Sequence, residues 1–512
     1  MNKYKKKLFQ HLDGIVLIPT LLGLEKSGIL KEIITKKEFS INSLSKEIDF
    51  NAGYLNVSLR VLTSSGLIIN NNDKNELKRI YKINNNLIKL IRIVKKLNEL
   101  DEVILYHKNF KKLQYNSLIE YVNQVFTLTK SIIKNKSKFT KKFYNNIEGM
   151  ILGPLLANLS FYKHVESKSR NFNLLNLDSQ NKKLILDIFR LFDLYSKSNN
   201  ALTEKGKYFI SRSSSYGVTV SYLNTLSNID ELLIDNPNYI WQRTKHNHEV
   251  HVDRSMNVWG SGGAHKVYFE KIDDIIIDIF NKDIKKQPVG VIDIGCGDGT
   301  FLKHIYSVII SRTERKKHLK SHPLILIGTD INKKAQISTQ KTLKGINSII
   351  IDGDISNPKK INNILKEKHN LKLKDFLNCR TFLDHNRIYR KPNKNINHKI
   401  STGGSFSFKG RLIPGKELIT NFILHLLEWK KFIKAHGLIA VELHTLDPIV
   451  TLKNSGNSLA CAYDATHGYS DQYLIEYEVY KKCILEIGMN ITSDNEYLFP
   501  RKIPTVSINY II

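Results

Sequence analysis

Residues 291–300 read Val-Ile-Asp-Ile-Gly-Cys-Gly-Asp-Gly-Thr. Apolar β-forming residues flank Asp293, glycines follow at every second position (Gly295, Gly297 and Gly299), and a helical segment opens at Phe301. Glycine has no Cβ and takes positive φ freely. The stretch therefore predicts a strand that passes into a helix through a loop whose bare main chain a ligand can touch. The spacing is G-x-G-x-G rather than the G-x-G-x-x-G of dinucleotide folds. An ordinary glycine-rich turn is the alternative, and the downstream acids weigh against it. The apolar run 323–330 ends in Asp330, and a third run, Ser348 to Ile351, leads into Asp352-Gly353-Asp354-Ile355. One acid at a strand end could be a helix N-cap; three after three successive strands form a more specific pattern.

This pattern resembles motif I and the following strand ends of class I S-adenosylmethionine (SAM) methyltransferases. The resemblance implies a Rossmann-like α/β domain with a mostly parallel sheet. It implies a cofactor-binding set of Asp293, Gly295, Cys296, Gly297, Gly299, Asp330, Ile331, Asp354 and Ile355. Asp330 would accept from the ribose hydroxyls, and Asp354, in preference to Asp352, from the adenine amino group. Carboxylates also suit a cationic sulfonium.

A chain of 512 residues exceeds one core, so two or three domains are expected. Hydrophobic content of 41% is that of an ordinary soluble protein. No uninterrupted apolar run approaches the ~20 residues of a membrane span. The basic start Met1 to Lys7 precedes Asp13 and Pro19 without a small-residue cleavage site, which argues against a signal peptide. Cys296, Cys379, Cys461 and Cys483 have no metal-type spacing, and free thiols in a reducing cytoplasm are expected. The net charge of +30 comes from lysine spread along the whole chain beside abundant Asn and Ile. No stretch combines dense Arg with regular aromatics, so nucleic acid is not the favoured partner; an acidic carrier protein fits the same charge.

Three regions are expected. Residues 1–85 read as a winged-helix-like unit: a helix over 11–30 ending near Gly28, short helices over 40–48 and 52–64, then a hairpin from Gly66-Leu67-Ile68 through an Asn/Asp turn to Ile83. Arg60 is the only strongly basic residue of the helix that would read DNA, so scaffolding or homodimer formation is the preferred role. Residues 86–236 read as mainly helical, with a second wing-like module over 184–233. Residues 237–512 form the methyltransferase domain, entered near Asp235-Asn236-Pro237. Asn257 to His265 reads as too glycine-rich for a helix, and as a hinged lid or a plain linker before a helix over 268–280. Beyond the glycine loop, alternation predicts a fourth strand in 374–384, a helix over 419–436, a fifth strand over 438–444, a helix over 473–488 and an edge strand over 504–512.

Polar residues gather at the expected strand ends: Asp384-His385 after the fourth, Glu442-Leu443-His444 at the fifth, and Asp464 to Tyr473 beyond. Catalytic candidates are His467, His444, His385 and Asp384. A divalent metal of the Fe or Mn kind would draw on His467, Gln472, Asp384 and His444. The metal-free alternative makes His467 or His444 a base oriented by a carboxylate.

The same segments resemble polyketide-synthase C-methyltransferases, and in particular the metal-dependent ones that build branched starter units, as in apratoxin assembly. Asp13 to Thr20 and Asn51 to Leu55 resemble the helical lead-in of that family. The resemblance implies methylation at the α-carbon of a malonyl or β-ketoacyl thioester on an acyl carrier protein. Two other readings stand beside it: an O-methyltransferase of small metabolites, and a winged-helix binding protein with an inactive SAM domain.

Overall fold

The computed structural model describes residues 2–512 except 72, 74, 95–99, 111–114, 135, 137–139, 169–170, 197 and 246–248. It divides into two compact units. One comprises Met1–Gly263, Ser405–Ile413 and Asp447–Asp471; the other Ala264–Gly404, Pro414–Leu446 and Gln472–Ile512. The first unit thus extends past the linker expected near residue 237 and takes two later excursions of the chain.

In the first unit, helix Asn2–Lys26 is a core element, with Ile15, Val16, Ile18, Leu21 and Leu24 buried. Its stretch Lys3–Lys26 is long and apolar enough to cross a membrane, but 83% of that window is buried inside the protein, as in the central helix of a globular domain. It crosses helix Lys141–Phe161 with the two backbones nearly touching. A Cβ on Gly14 would lie 1.9 Å from the Asn146 carbonyl oxygen, and one on Gly149 2.2 Å from His11 Cα. Polar residues lock the crossing: Asn146 donates to the Gln10 carbonyl at 2.8 Å, and the buried Glu148 carboxylate accepts from Lys7 and Lys205. Burial alone would raise the Glu148 pKa, but His11, Lys205 and Lys7 hold it well below the carboxylate range.

Asp13, on the same helix, is buried and its Oδ1 has no hydrogen-bond partner. Burial pushes its carboxyl from 3.8 up to about 7, against the attraction of Lys142. Between those values the folded chain holds a proton that the unfolded chain has released, so this group's contribution to stability falls as pH rises through the interval. Asp13→Asn is expected to raise Tm by several degrees at about pH 8 and to change it little at about pH 4. Thermal melts at both pH values check this; an equal shift at both would contradict it.

Helix Asn2–Lys26 covers most of the helix expected over 11–30; after it residues 29–83 form Ile29–Lys36, a helix not expected from the sequence, then Ile41–Leu44 and Ala52–Ser65 where short helices were expected, and antiparallel Ile68–Asn70 and Tyr81–Ile83, joined by strand Glu38–Phe39. Ser40 and Ser43 form a capping box that starts Ile41–Leu44. The Asn/Asp turn of the hairpin lies partly outside the described residues. Nearly all of Ala52–Ser65 is buried, including Arg60, whose Nε donates to Asp464 at 2.7 Å. The helix that would read bases in a DNA-binding protein is here inside the core. A second module runs through hairpin Val165–Lys168/Asn171–Leu174, helix Ser179–Leu191 capped by Asp178, and helix Glu204–Ser211 capped by Thr203.

The expected lid is not a loop. Residues 254–280 form one helix, Arg254–Phe280. Gly260 is explained by packing: a Cβ on it would lie 2.4 Å from the Val218 nitrogen, and one on Gly217 2.7 Å from Gly260 Cα. Sequence reasoning took a glycine needed for close helix contact as a sign of irregular backbone.

The second unit is a seven-stranded sheet: β1 Gly290–Ile294, β2 Ile325–Asp330, β3 Ser348–Asp352, β4 Leu377–Thr381, β5 Leu438–Leu443, β6 Ile491–Phe499 and β7 Val506–Ile511. Their spatial order is β3-β2-β1-β4-β5-β7-β6, parallel from β3 through β5, with β7 antiparallel to both neighbours. The strand expected at the edge, 504–512, is instead interior. β6, unassigned from the sequence, forms the edge next to β7; its polar run Thr492 to Glu496 separates Ile491 from Tyr497 to Phe499, and none of its residues is fully buried. Val291, Leu326, Leu377, Cys379, Ile439 and Ile508 pack with helices Thr300–Arg312 and Arg254–Phe280 on one face. All four cysteines are free and buried.

Candidate active site

β1 is buried throughout and ends at Gly295, where the chain adopts positive φ at alternate residues: Gly295 +77°, Gly297 +56° and Gly299 +79°. Side chains other than Gly resist that backbone region. The loop is pinned to β2 and the helix that follows it. Gly295 and Cys296 donate to the Thr329 carbonyl at 2.8 and 2.9 Å, Gly297 N–H donates to Asp330 Oδ2 at 3.1 Å, and Thr339 Oγ1 donates to the Gly297 carbonyl at 2.9 Å. A Cβ placed on Gly297 meets nothing within 4 Å. The loop therefore presents bare main chain beside the first turn of helix Thr300–Arg312.

The residues expected to bind the cofactor are placed as follows. Asp330 closes β2, and its other oxygen accepts from Asn332 N–H at 2.8 Å. Ile331 is 68% exposed, an apolar side chain left uncovered beside a carboxylate. Asp354, past β3, accepts from the amide and hydroxyl of Ser356, while Ile355 is buried and its carbonyl holds the Trp429 indole. Asp352 faces Lys360 at 3.1 Å. Asp293 is 1% exposed with Oδ1 unpartnered; burial first and Asp330 second push its pKa well above the carboxylate range. Bare backbone, a carboxylate for a diol and an apolar edge fit SAM.

At the ends of β4 and β5 the structure sorts the remaining candidates. Asp384 opens a 3-10 turn, Asp384–Asn386, and is almost fully buried. Its Oδ1 accepts from Arg380 Nη1 at 2.7 Å and lies 3.1 Å from His425 Nε2. Burial would raise the Asp384 carboxyl, but Arg380 and His425 outweigh it and hold it at about 2. Burial pushes His425 down to about 4. The next residue, His385, meets Glu442 of β5: Glu442 Oε2 accepts from the His385 main-chain N–H at 3.1 Å, and Oε1 pairs with the ring at Nδ1. Leu443 N–H also donates to Glu442 Oε1, at 2.6 Å.

His444 does not belong with these groups. Its Nδ1 bonds the Ile475 carbonyl at 3.2 Å and its Nε2 the Ser507 hydroxyl at 2.7 Å, and burial pushes its pKa down to about 3. Both ring nitrogens serve as structural pins between β5, β7 and residue 475. His467 ends helix Ala460–Gly468 in the first unit, buried, with Nδ1 2.9 Å from the Tyr463 carbonyl. Gln472 is the first residue of the second unit's last segment. The four-residue metal set expected from the sequence does not fit. Asp384 is committed to Arg380 and His425, His444 has both nitrogens engaged, and among the described residues no three His, Cys, Asp or Glu side chains are grouped to hold a metal.

Glu442 is the residue that sequence reasoning passed over, choosing His444 two positions later. A signal was present: a lone carboxylate within the apolar run Leu438–Leu443, which a buried strand tolerates only with a partner.

No curated protein matches the sequence. The chain is similar in structure to an O-methyltransferase family protein from Burkholderia thailandensis, at 11% identity over 83% of this chain and 97% of that one, with a TM-score of 0.34. It is similar to the DszA carbon methyltransferase at 9% identity over 83% and 93%, TM-score 0.33. It is similar to the plantazolicin methyltransferase BpumL, solved with SAH, at 13% identity over 50% and 89%, TM-score 0.28. Family models match three consecutive stretches: the AprA N-terminal domain over residues 4–70, the AprA winged helix domain over 148–236, and the AprA MT2-like domain over 249–510. The last spans the glycine loop, the three strand-end acids and the His385–Glu442 pair in one unbroken match covering half of the chain, so the protein belongs to the AprA MT2-like family and is an AprA-like SAM methyltransferase.

Proposed function

We propose that this methyltransferase acts on carbon, at the α position of a malonyl or β-ketoacyl thioester borne by an acyl carrier protein. The observation that supports this reading is the buried His385–Glu442 pair, on the same sheet edge as the glycine loop. Glu442 accepts from both the main-chain and Nδ1 N–H groups of His385, so the ring is held in one orientation and its lone pair is on Nε2. A base held this way can remove the proton α to a thioester carbonyl. The enolate carbon then attacks the methyl group of SAM: a C–C bond forms, the S–CH₃ bond breaks, S-adenosylhomocysteine leaves, and the abstracted proton remains on Nε2 until solvent takes it.

The test is intact-mass analysis after incubating the protein and SAM with malonyl- or acetoacetyl-loaded carrier protein. A gain of one or two methyl groups on the acyl arm is expected. Methylation of phenols or free carboxylic acids with none on the thioesters would select the O-methyltransferase reading, in which the same base takes a hydroxyl proton. The DNA-binding reading is disfavoured by Arg60, buried and paired with Asp464.

A further inference from the structure

Asp384 and Glu417 bracket 32 residues that contain no Asp or Glu but eight cations: Arg387, Arg390, Lys391, Lys394, Lys399, Lys409, Arg411 and Lys416. The part within the second unit, residues 387–404, is a strap without helix or strand that starts two residues past His385. It is tied down along its length. Arg387 donates to the Asp384 carbonyl and to Asn421, Tyr389 bonds Glu417, and Asn421 donates to the Arg390 carbonyl at 2.7 Å. His398 bonds Thr420 at 3.1 Å, and Glu476 accepts from Thr402 and Gly403 at 2.6 and 2.8 Å. Glu417 and Glu476 are thus engaged with Tyr389, Thr402 and Gly403 of the strap.

Arg390, Lys391, Lys394 and Lys399 are exposed, and among the described residues none of them is in an ion pair. Some exposed lysines elsewhere in this unit pair with acids, as in Lys317–Glu314 and Lys360–Asp352. Beside the four cations, Ile388 is 43% exposed. A fixed, uncompensated positive surface with one apolar side chain, next to the general base, matches what an acidic protein face would dock on. Tyr389, the only aromatic of the strap, is buried, so no exposed ring is offered for stacking a base, which disfavours nucleic acid.

We propose that residues 388–399 form the docking surface for the acidic face of the carrier protein, holding it where its acyl arm enters at His385. This rests on the carrier-thioester reading above. The test compares a strap variant (Arg390→Glu, Lys391→Glu, Lys394→Glu, Lys399→Glu) with a control (Lys366→Glu, Lys368→Glu, Lys372→Glu, Lys374→Glu) that reverses the same number of exposed cations just before β4, whereas the strap follows it. The substrates are malonyl-loaded carrier protein and malonyl-pantetheine. For the strap variant, KM for the carrier should rise about 10-fold or more and lose most of its salt dependence. Its turnover of malonyl-pantetheine should stay at the wild-type level, and the control should behave as wild type on both. An unchanged carrier KM, or an equal rise in the control, overturns the docking surface while leaving the thioester chemistry standing. If wild type methylates neither substrate, the chemical reading falls, and fluorescence anisotropy of labelled carrier protein still decides the surface. Equal binding by wild type and the strap variant, no binding by wild type, or displacement of the carrier by a lower concentration of single-stranded RNA each overturns it.

Discussion

His385→Ala is expected to lower turnover by about 10²–10⁴-fold while SAM binds with unchanged affinity. The two effects separate because the groups sit on different parts of the sheet edge. The glycine loop and Asp330 are bonded to each other and to Thr329 and Thr339, with no contribution from His385. Removing the imidazole removes the proton acceptor only. Glu442→Gln should lose a large part of the same factor by another route. The amide keeps the shape, but it places one N–H donor where the carboxylate accepted from both the His385 main chain and Nδ1, so either the ring flips or one donor is left facing another. Isothermal titration with SAM and single-turnover mass analysis on the acyl carrier measure the two quantities. A His385→Ala protein that still transfers methyl groups at the wild-type rate would remove His385 from the reaction.

Which parts of this site were legible in the sequence follows from what each part needs. The cofactor loop needs residues with no Cβ at φ of +56° to +79°, and only glycine at fixed spacing provides that, so the sequence has to display it. The strand-end acids Asp330 and Asp354 are legible for a related reason, since they close apolar runs. β1 and β5 are buried strands dominated by apolar residues and read as such, whereas β6 carries the polar run Thr492 to Glu496, has no fully buried residue and was missed. The antiparallel β7 was found but put at the edge, because which neighbour a strand pairs with is a long-range choice that its own residues do not encode.

The proton-handling residues were harder. Asp384, His385, Glu442 and His444 are all polar residues at strand ends, and composition alone cannot say which of them are spent inside the protein. Their partners decide it: Arg380 and His425 take Asp384, Ser507 takes His444, and Glu442 holds His385. Gly260 misled for the opposite reason, because close packing and hinge motion use the same residue.

Asp384→Ala should be the most destabilising single change in the second unit. Arg380 is 1% exposed on β4, stacked at 4.7 Å on Trp429, and its Nε and Nη2 have no hydrogen-bond partner. Among the described residues, Asp384 is the one carboxylate bonded to it. Taking that carboxylate away leaves a buried guanidinium facing only a largely neutral His425, an uncompensated charge worth about 3–5 kcal/mol. For a unit of this size that corresponds to a Tm lower by about 10 °C. Asp384→Asn keeps an acceptor oxygen and the shape of the turn, so its loss should be smaller and should depend on pH. The Asp384 carboxyl is depressed from 3.8 to about 2. Its contribution is therefore complete above about pH 4 and disappears as pH falls through about 2, so the gap between wild type and Asp384→Asn should close over that interval. Had Asp384 been a metal ligand, as its sequence position suggested, the asparagine variant would lose turnover at unchanged Tm. Thermal melts of wild type, Asp384→Asn and Asp384→Ala at neutral and acidic pH, read beside turnover at neutral pH, separate the two roles: a graded fall in Tm identifies the carboxylate as the counter-ion that holds the turn carrying His385 in place.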